Sequence, residues 1–216
     1  MHSVSTVDEE LGTREGHHVS HVQESTVKHP LWRTSILFTL VTAVMVGLGY
    51  PLLMTGLAHI LFPRQAAGSL ITGKDGAVIG SELIAQSFAS DKYFHPRPSA
   101  AGNGYDATSS GGTNLAQSNA KLPVRMQADI DKLAAENPGK PVPIDMVTYS
   151  ASGLDPDITP DNAYFQAPRI AKARGLTEAA VRGLIDQQIK GRTLGLLGEP
   201  RVNVLDLNLA LDNLAH

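Results

Sequence analysis

Nucleophilic catalysis needs a hydroxyl or thiol beside a base that a third group orients. The chain of 216 residues contains no cysteine, which excludes thiol catalysis, disulfides and cysteine-ligated zinc. Ser150 and Ser152 are the candidate hydroxyls, in "TYSASGLD", but the Gly-x-Ser-x-Gly spacing of a nucleophile elbow is missing. The base would have to be His95, in "YFHPRPS", because the other histidine beyond residue 62 is the terminal His216. No convergent pair is apparent, and with so few histidines a transition-metal site has too few soft ligands.

Two glycine-rich stretches resemble phosphate cradles. "GSLITGKD", from Gly68 to Asp75, has the glycine and lysine spacing of a P-loop, but Asp75 stands where a Ser or Thr hydroxyl must meet magnesium and would repel phosphate. A hairpin turn is the better reading. "SSGGTN", from Ser109 to Asn114, offers N–H groups for an anion nest, although capping of a following helix by Thr113 or Asn114 explains it more simply. Asp155, Asp157 and Asp161 lie close together, yet the glycine and the distant glutamate of a calcium loop are absent. Asp-Pro turns and helix capping account for them.

The elements that would position these groups follow from periodicity and turn chemistry. "GSLIT" and "GAVIGSEL" predict two short strands around the Asp75-Gly76 turn, and "SELIAQSFAS" a short helix. Residues 95–114 hold almost no large apolar side chain and predict a long covering or functional loop. "NLAQSNAKLPVRMQADIDKLAAENPG" reads as mostly helical with an interruption at Pro123, and "PIDMVTYS" as a strand. Thr159 as N-cap, Pro160 at the first helical position and Gly175 past the end define a further helix, kinked at Pro168. Thr177 caps the next, ending near Gly191, and "PRVNVLDLNLALDNL" reads as a strand entering a C-terminal helix.

Thr34 to Phe62 carries no Asp, Glu, Lys or Arg. Such a run, at about 1.5 Å per helical residue, extends roughly 43 Å and exceeds the ~30 Å hydrocarbon core. It is too long and begins too late for a secretory signal, so a retained anchor is expected despite the small residues Ala66, Ala67 and Gly68. Pro51 is tolerated in a membrane helix. Ala43 and Gly47, with Gly49 and Gly56 beyond them, are small positions where a partner helix could approach closely. The fold class is therefore α/β: one N-terminal transmembrane helix at 34–62, then a single mixed α/β soluble domain at 63–216.

Residues 1–33 are polar and expected to stay disordered, and His17, His18 and His21 there present no fixed metal geometry. The net charge of −3 is spread over head and domain, and neither is basic enough to suggest nucleic acid. Lys28 and Arg33 before the span balance Arg64 and Lys74 after it, so charge leaves orientation open.

Eight segments occur in order: "GYPLLMTGLAHILFPRQAAGSL", "GSELIAQSF", "YFHPRPSA", "SSGGTNLAQSN", "ENP", "VTYSASGLDPDITPDNA", "RIAKARGL" and "GEPRVNVLDLNLALD". Together they resemble the KdpC family of potassium-transporting ATPase subunits, from about Gly49 to the C-terminus. The resemblance implies a non-catalytic accessory subunit of a high-affinity, ATP-driven potassium importer in the cell inner membrane. Its implied partners are a channel-like potassium-binding subunit, a P-type ATPase subunit and a small single-span peptide. It also implies a cytoplasmic head and a domain on the outer face. On that face the acidic charge of the "LDPDITPD" loop, with Asp155 and Asp157, is expected to enrich potassium near the entrance.

The family is further described as a catalytic chaperone that raises the ATP affinity of the ATPase subunit, and Gln166 matches the glutamine linked to that idea. No cofactor is expected to bind this chain directly, ATP being held by the partner. A domain outside the membrane cannot touch cytoplasmic ATP, so any effect would pass through the spans as coupling between sites. The competing reading is a membrane-anchored extracytoplasmic hydrolase or solute-binding module acting alone.

Overall fold

A computed structural model describes residues 30–214. The expectations for the head, including His17, His18 and His21, and for His216 lie outside the described residues, apart from 30–33.

Helix α1 (Leu31–Val44) passes through a wide π-type turn, Met45–Gly49, into α2 (Tyr50–Leu61). The whole run, Leu31–Leu61, is 31 residues long and apolar enough to cross a membrane. It starts at Leu31, ahead of Thr34, and Pro30, extended at ψ 109°, forms the N-cap. Proline suits a helix start, since the first turn has no carbonyl partners for its N–H groups. Phe62 leaves the helical region, and α3 (Pro63–Ala66) is a single turn with proline at its start.

Beyond it, β1 (Leu70–Thr72) and β2 (Val78–Ser81) pair antiparallel. Gly76 takes a left-handed φ of 79° and Asp75 Oδ1 accepts the Ala77 N–H, so the Lys-Asp-Gly sequence is a hairpin turn and not a phosphate loop. The helix expected in "SELIAQSFAS" is absent. Its backbone groups bond to distant segments instead: the Ala85 N–H donates to the Leu154 carbonyl, and Asn203 Nδ2 donates to the Glu82 carbonyl.

Helix α4 (Lys121–Glu136) begins well beyond the start that a Thr113 or Asn114 cap would require. "SSGGTN" is consumed by another contact, in which the Gly111 N–H and Ser110 Oγ both donate to the Ser152 carbonyl. It is therefore neither a helix cap nor a free anion nest. A methyl group on Gly112 would lie 2.9 Å from the Ala151 oxygen, so close backbone approach explains that glycine. Pro123 does not interrupt α4, because it falls in the first turn, where its missing N–H has no partner to lose.

"PIDMVTYS" is not a strand. Ile144–Met146 forms a 3-10 turn that turns the Asp145 carboxylate inward, where it accepts the Thr159 N–H, the Thr159 hydroxyl and Asn162 Nδ2.

The remainder follows its local signals. β3 (Asp157–Ile158) leads into α5 (Pro160–Arg174), capped by the Thr159 hydroxyl on the Asn162 N–H and closed by Gly175 at φ 67°. α5 continues through Pro168. α6 (Glu178–Gln188) is capped by Thr177, and β4 (Val202–Asn203), antiparallel to β3, runs directly into α7 (Val204–Leu214). The apolar core consists of Phe94, Ile158 and buried faces of the last three helices, among them Ile170, Val181, Ile185, Leu207 and Leu211.

Candidate functional site

Gln166 lies on the buried face of α5 and is 3% exposed. Its Oε1 accepts the His95 N–H at 2.8 Å and Arg169 Nη2 at 2.6 Å. Its Nε2 donates to the His95 carbonyl at 3.0 Å and to Asn162 Oδ1 at 2.7 Å. A primary amide has two donors and room for two acceptor bonds, so Gln166 has no capacity left for a ligand.

The preceding residue is held the same way from the other side. Asn208, on α7, accepts the Phe94 N–H at 2.8 Å and donates to the Phe94 carbonyl at 3.0 Å. Successive residues of an extended chain present their polar groups in opposite directions. Two amides on two helices thus clasp Phe94 and His95 as neighbouring strands would. The adjacent carbonyls are taken by arginines: Arg169 bonds Asp91 and Tyr93, and Arg174 bonds Lys92. His95 Nε2 lies 3.1 Å from the Ser90 oxygen.

A polar chain threads this region. Asp145 accepts from Asn162, Asn162 accepts from Gln166, and Gln166 accepts from Arg169. A carboxylate at one end and a guanidinium at the other hold the amides between them in one orientation. Burial, and next the Arg169 charge, holds the His95 pKa below its usual 6.5. The sequence reading missed Asn208, Asn162, Asp145 and Arg169. The spacing of Asn162, Gln166 and Arg169 along one face of a helix rich in small residues was the available signal.

Asp155 and Asp157 line one shallow cleft of about 250 Å³, but each carboxylate there faces an arginine. Asp155 Oδ2 is 2.8 Å from Arg97 Nη1, and Asp157 Oδ2 is 3.0 Å from Arg201 Nε. Burial raises the Asp157 pKa, opposed by Arg201. No group of three or more His, Cys, Asp or Glu residues fit to hold a metal occurs among the described residues. Ser150 Oγ is 3.5 Å from Ser152 Oγ, while the His95 ring is directed to Ser90, so these residues do not form a nucleophile and base pair.

A mixed cleft of about 240 Å³ beside the clasp is lined by Phe88, His95, Tyr105, Asp129, Leu133 and Tyr149, among others. Burial pushes the Tyr105 hydroxyl up to about 12, so it serves as a neutral donor, and it donates to the Arg97 carbonyl at 2.9 Å.

In the spanning helix Ala43 and Gly47, four residues apart, share one face, and Gly49 and Gly56, seven apart, share another. The wide turn, Met45–Gly49, contains Gly47 and Gly49, one member of each pair, so the four do not form one stripe. A methyl group on Gly47 or Gly56 would meet nothing within 4 Å.

Residues 32–213 match the family model described as KdpC, the K+-transporting ATPase c chain. A potassium-transporting ATPase KdpC subunit of Acidobacterium capsulatum is 62% identical over 183 residues, covering 84% of this chain and 97% of that protein. The KdpC subunits of Methylobacterium nodulans and Koribacter versatilis are each 55% identical, over 85% and 83% of this chain and 96% and 92% of their own length. With a match running from the first turn of the spanning helix to the last turn of α7, the chain belongs to the KdpC family.

Proposed function

We propose that the chain acts as the single-span accessory subunit of an ATP-driven potassium importer. The observation that carries this reading is the family match over nearly the whole chain, joined to one helix long enough to cross a bilayer. The span, with its small faces at Ala43, Gly47, Gly49 and Gly56, anchors the chain beside a channel-like subunit. The head lies in the cytoplasm, and the domain covers the outer surface of that subunit. The P-type ATPase subunit and the small single-span peptide complete the assembly in the cell inner membrane.

ATP stays with the ATPase subunit. Any effect of this chain on ATP affinity travels through the spans as a coupling between distant sites. Gln166 contributes to that only by holding the domain together, since its amide is fully bonded. The paired Asp155 and Asp157 carry little net field at short range, because each faces an arginine.

Purification of the affinity-tagged chain in mild detergent tests the assignment. Co-migration with two large apolar subunits and potassium-stimulated ATPase activity are expected. A lone chain in the micelle, from cells that express the other subunits, would overturn it.

A further inference from the structure

The wide turn at Met45–Gly49 changes the hydrogen bonding at the middle of the span. In a regular α-helix the Val46 carbonyl accepts from residue 50 and the Gly47 carbonyl from residue 51. Here the Tyr50 N–H goes to the Met45 carbonyl. Residue 51 is proline and has no N–H. Val46 thereby loses both its α-type donor and the π-type donor one residue further on, whereas Gly47 loses its α-type donor but keeps the Leu52 N–H one residue further on.

None of the side-chain bonds in the described span supplies a replacement. The Thr42 hydroxyl donates to the Phe38 carbonyl, and His59 Nδ1 lies against the Thr55 carbonyl. Residue 46 is the midpoint of Leu31–Leu61, the depth furthest from water on either side. Acyl chains carry no donors, so an unpaired backbone acceptor at that depth must be satisfied by protein. No other atom of the chain lies within 4 Å of where a methyl group on Gly47 would sit, so that face of the helix is free for a neighbour.

We propose that the carbonyl oxygen of Val46 is an acceptor site for a neutral side-chain donor, the hydroxyl or amide of Ser, Thr, Asn or Gln, on a neighbouring transmembrane helix of another subunit. This rests on the reading that the chain assembles with other spanning subunits. The electrostatics narrow the chemistry of the occupant: a single oxygen with partial negative charge is met by one N–H or O–H, whereas a cation needs several such oxygens around it. A neutral donor is favoured because a charged side chain at mid-bilayer is costly to bury. Small residues permit the backbone approach that such a bond needs. Proline and the wide turn together act as the device that leaves the Val46 acceptor unpaired.

The test uses the full complex. Pro51→Ala returns one N–H to position 51, which lets the helix supply the Val46 carbonyl with a donor of its own, either directly or by freeing the Tyr50 N–H for it. At equal carbonate-resistant amounts of the tagged chain, its retention of the large subunits in detergent should fall roughly three- to tenfold, the scale of one interhelical hydrogen bond. Unchanged retention overturns the proposal, and so does retention that falls in Gly47→Ala but not in Pro51→Ala, since packing alone would then hold the helices.

Loss of a second, differently tagged copy of this chain instead of the large subunits would overturn the assignment to another subunit. A wild-type chain that retains nothing removes the assembly reading itself, and the donor with it. Should Pro51→Ala fail to insert, a 13C=18O label on the Val46 carbonyl of the wild-type chain reads the bond directly. Its amide I band should shift to lower frequency on assembly, and an unmoved band overturns the proposal.

Discussion

The clasp around Phe94 and His95 and the wide turn at Met45–Gly49 are opposite solutions to one problem, the placement of backbone polar groups away from water. In the clasp, the N–H and C=O of two consecutive residues are bonded to two helix-borne amides. In the wide turn, proline and a displaced Tyr50 bond leave the Val46 carbonyl without a donor. A closed polar site specifies one arrangement of its own chain and offers nothing to a visitor. An open one in an apolar segment requires a visitor. The residue linked by resemblance to nucleotide affinity belongs to the closed class, and the place built for a partner is in the span.

Removing one amide of the clasp is the largest disturbance. Gln166→Ala strands the His95 N–H and C=O and the Asn162 oxygen in a buried setting, and should destabilise the domain by about 3 kcal/mol. For a domain of this size that is a fall of roughly 6–12 °C in Tm, measured by circular dichroism of the full chain in detergent. Asn208→Ala should act similarly. Because the two amides grip adjacent residues, the double variant should lose about 1 kcal/mol less than the two losses added. Additive losses would mean that the segment is held at two independent points. Assembled complexes carrying Gln166→Ala should keep their ATP dependence, measured well below the lowered Tm. A shifted ATP dependence at full assembly would return Gln166 to a functional role.

A smaller effect separates paired from unpaired charge. Asp155→Asn and Asp157→Asn each break an ion pair with an arginine and do not remove a lone carboxylate. Partly exposed pairs contribute about 0–1 kcal/mol. The apparent potassium affinity of the complex at low ionic strength, where charges are least screened, should change less than about twofold. A larger loss in both variants, shrinking as salt is added, would give the acidic loop the potassium-enriching role that its sequence suggests.

How much of this could be read from the residues depended on the range of the bonds involved. Turn chemistry at Asp75-Gly76, the caps Thr159 and Thr177 and the closing Gly175 act within a few residues, and the elements they mark are present. "SELIAQSFAS" and "PIDMVTYS" have plausible local periods but fold otherwise. Their backbone and carboxylate partners, Leu154, Asn203, Thr159 and Asn162, lie far along the chain. The anchor was legible from composition, as was Pro51, whereas the π-type turn that joins them has no signature in residue type. Gln166 was singled out by resemblance alone. Two of its four bonds, to Asn162 and Arg169, lie within α5, and the two to His95 are visible only once residues 94 and 95 are packed against that helix.

The least of the expected effects concerns the charge on the residue that the clasp holds. His95 is kept neutral by burial and by Arg169, against weaker opposing influences from the Ser90 carbonyl, Asp91 and Glu136, so its folded pKa lies below the ordinary 6.5. The unfolded chain then takes up a proton near the ordinary value while the folded domain does not. Across that window the unfolded state binds more protons, and stability falls as the pH drops from the ordinary value to the folded one. Below the folded pKa both states are protonated and the loss stops growing. Gln at this position can still donate to the Ser90 carbonyl but cannot titrate. Between about pH 7.5 and about pH 5.5, the range in which histidine changes charge, the wild-type Tm should therefore fall further than that of His95→Gln. Equal falls would assign the acid sensitivity to the carboxylates and leave the imidazole as one more bonded group in an already closed site.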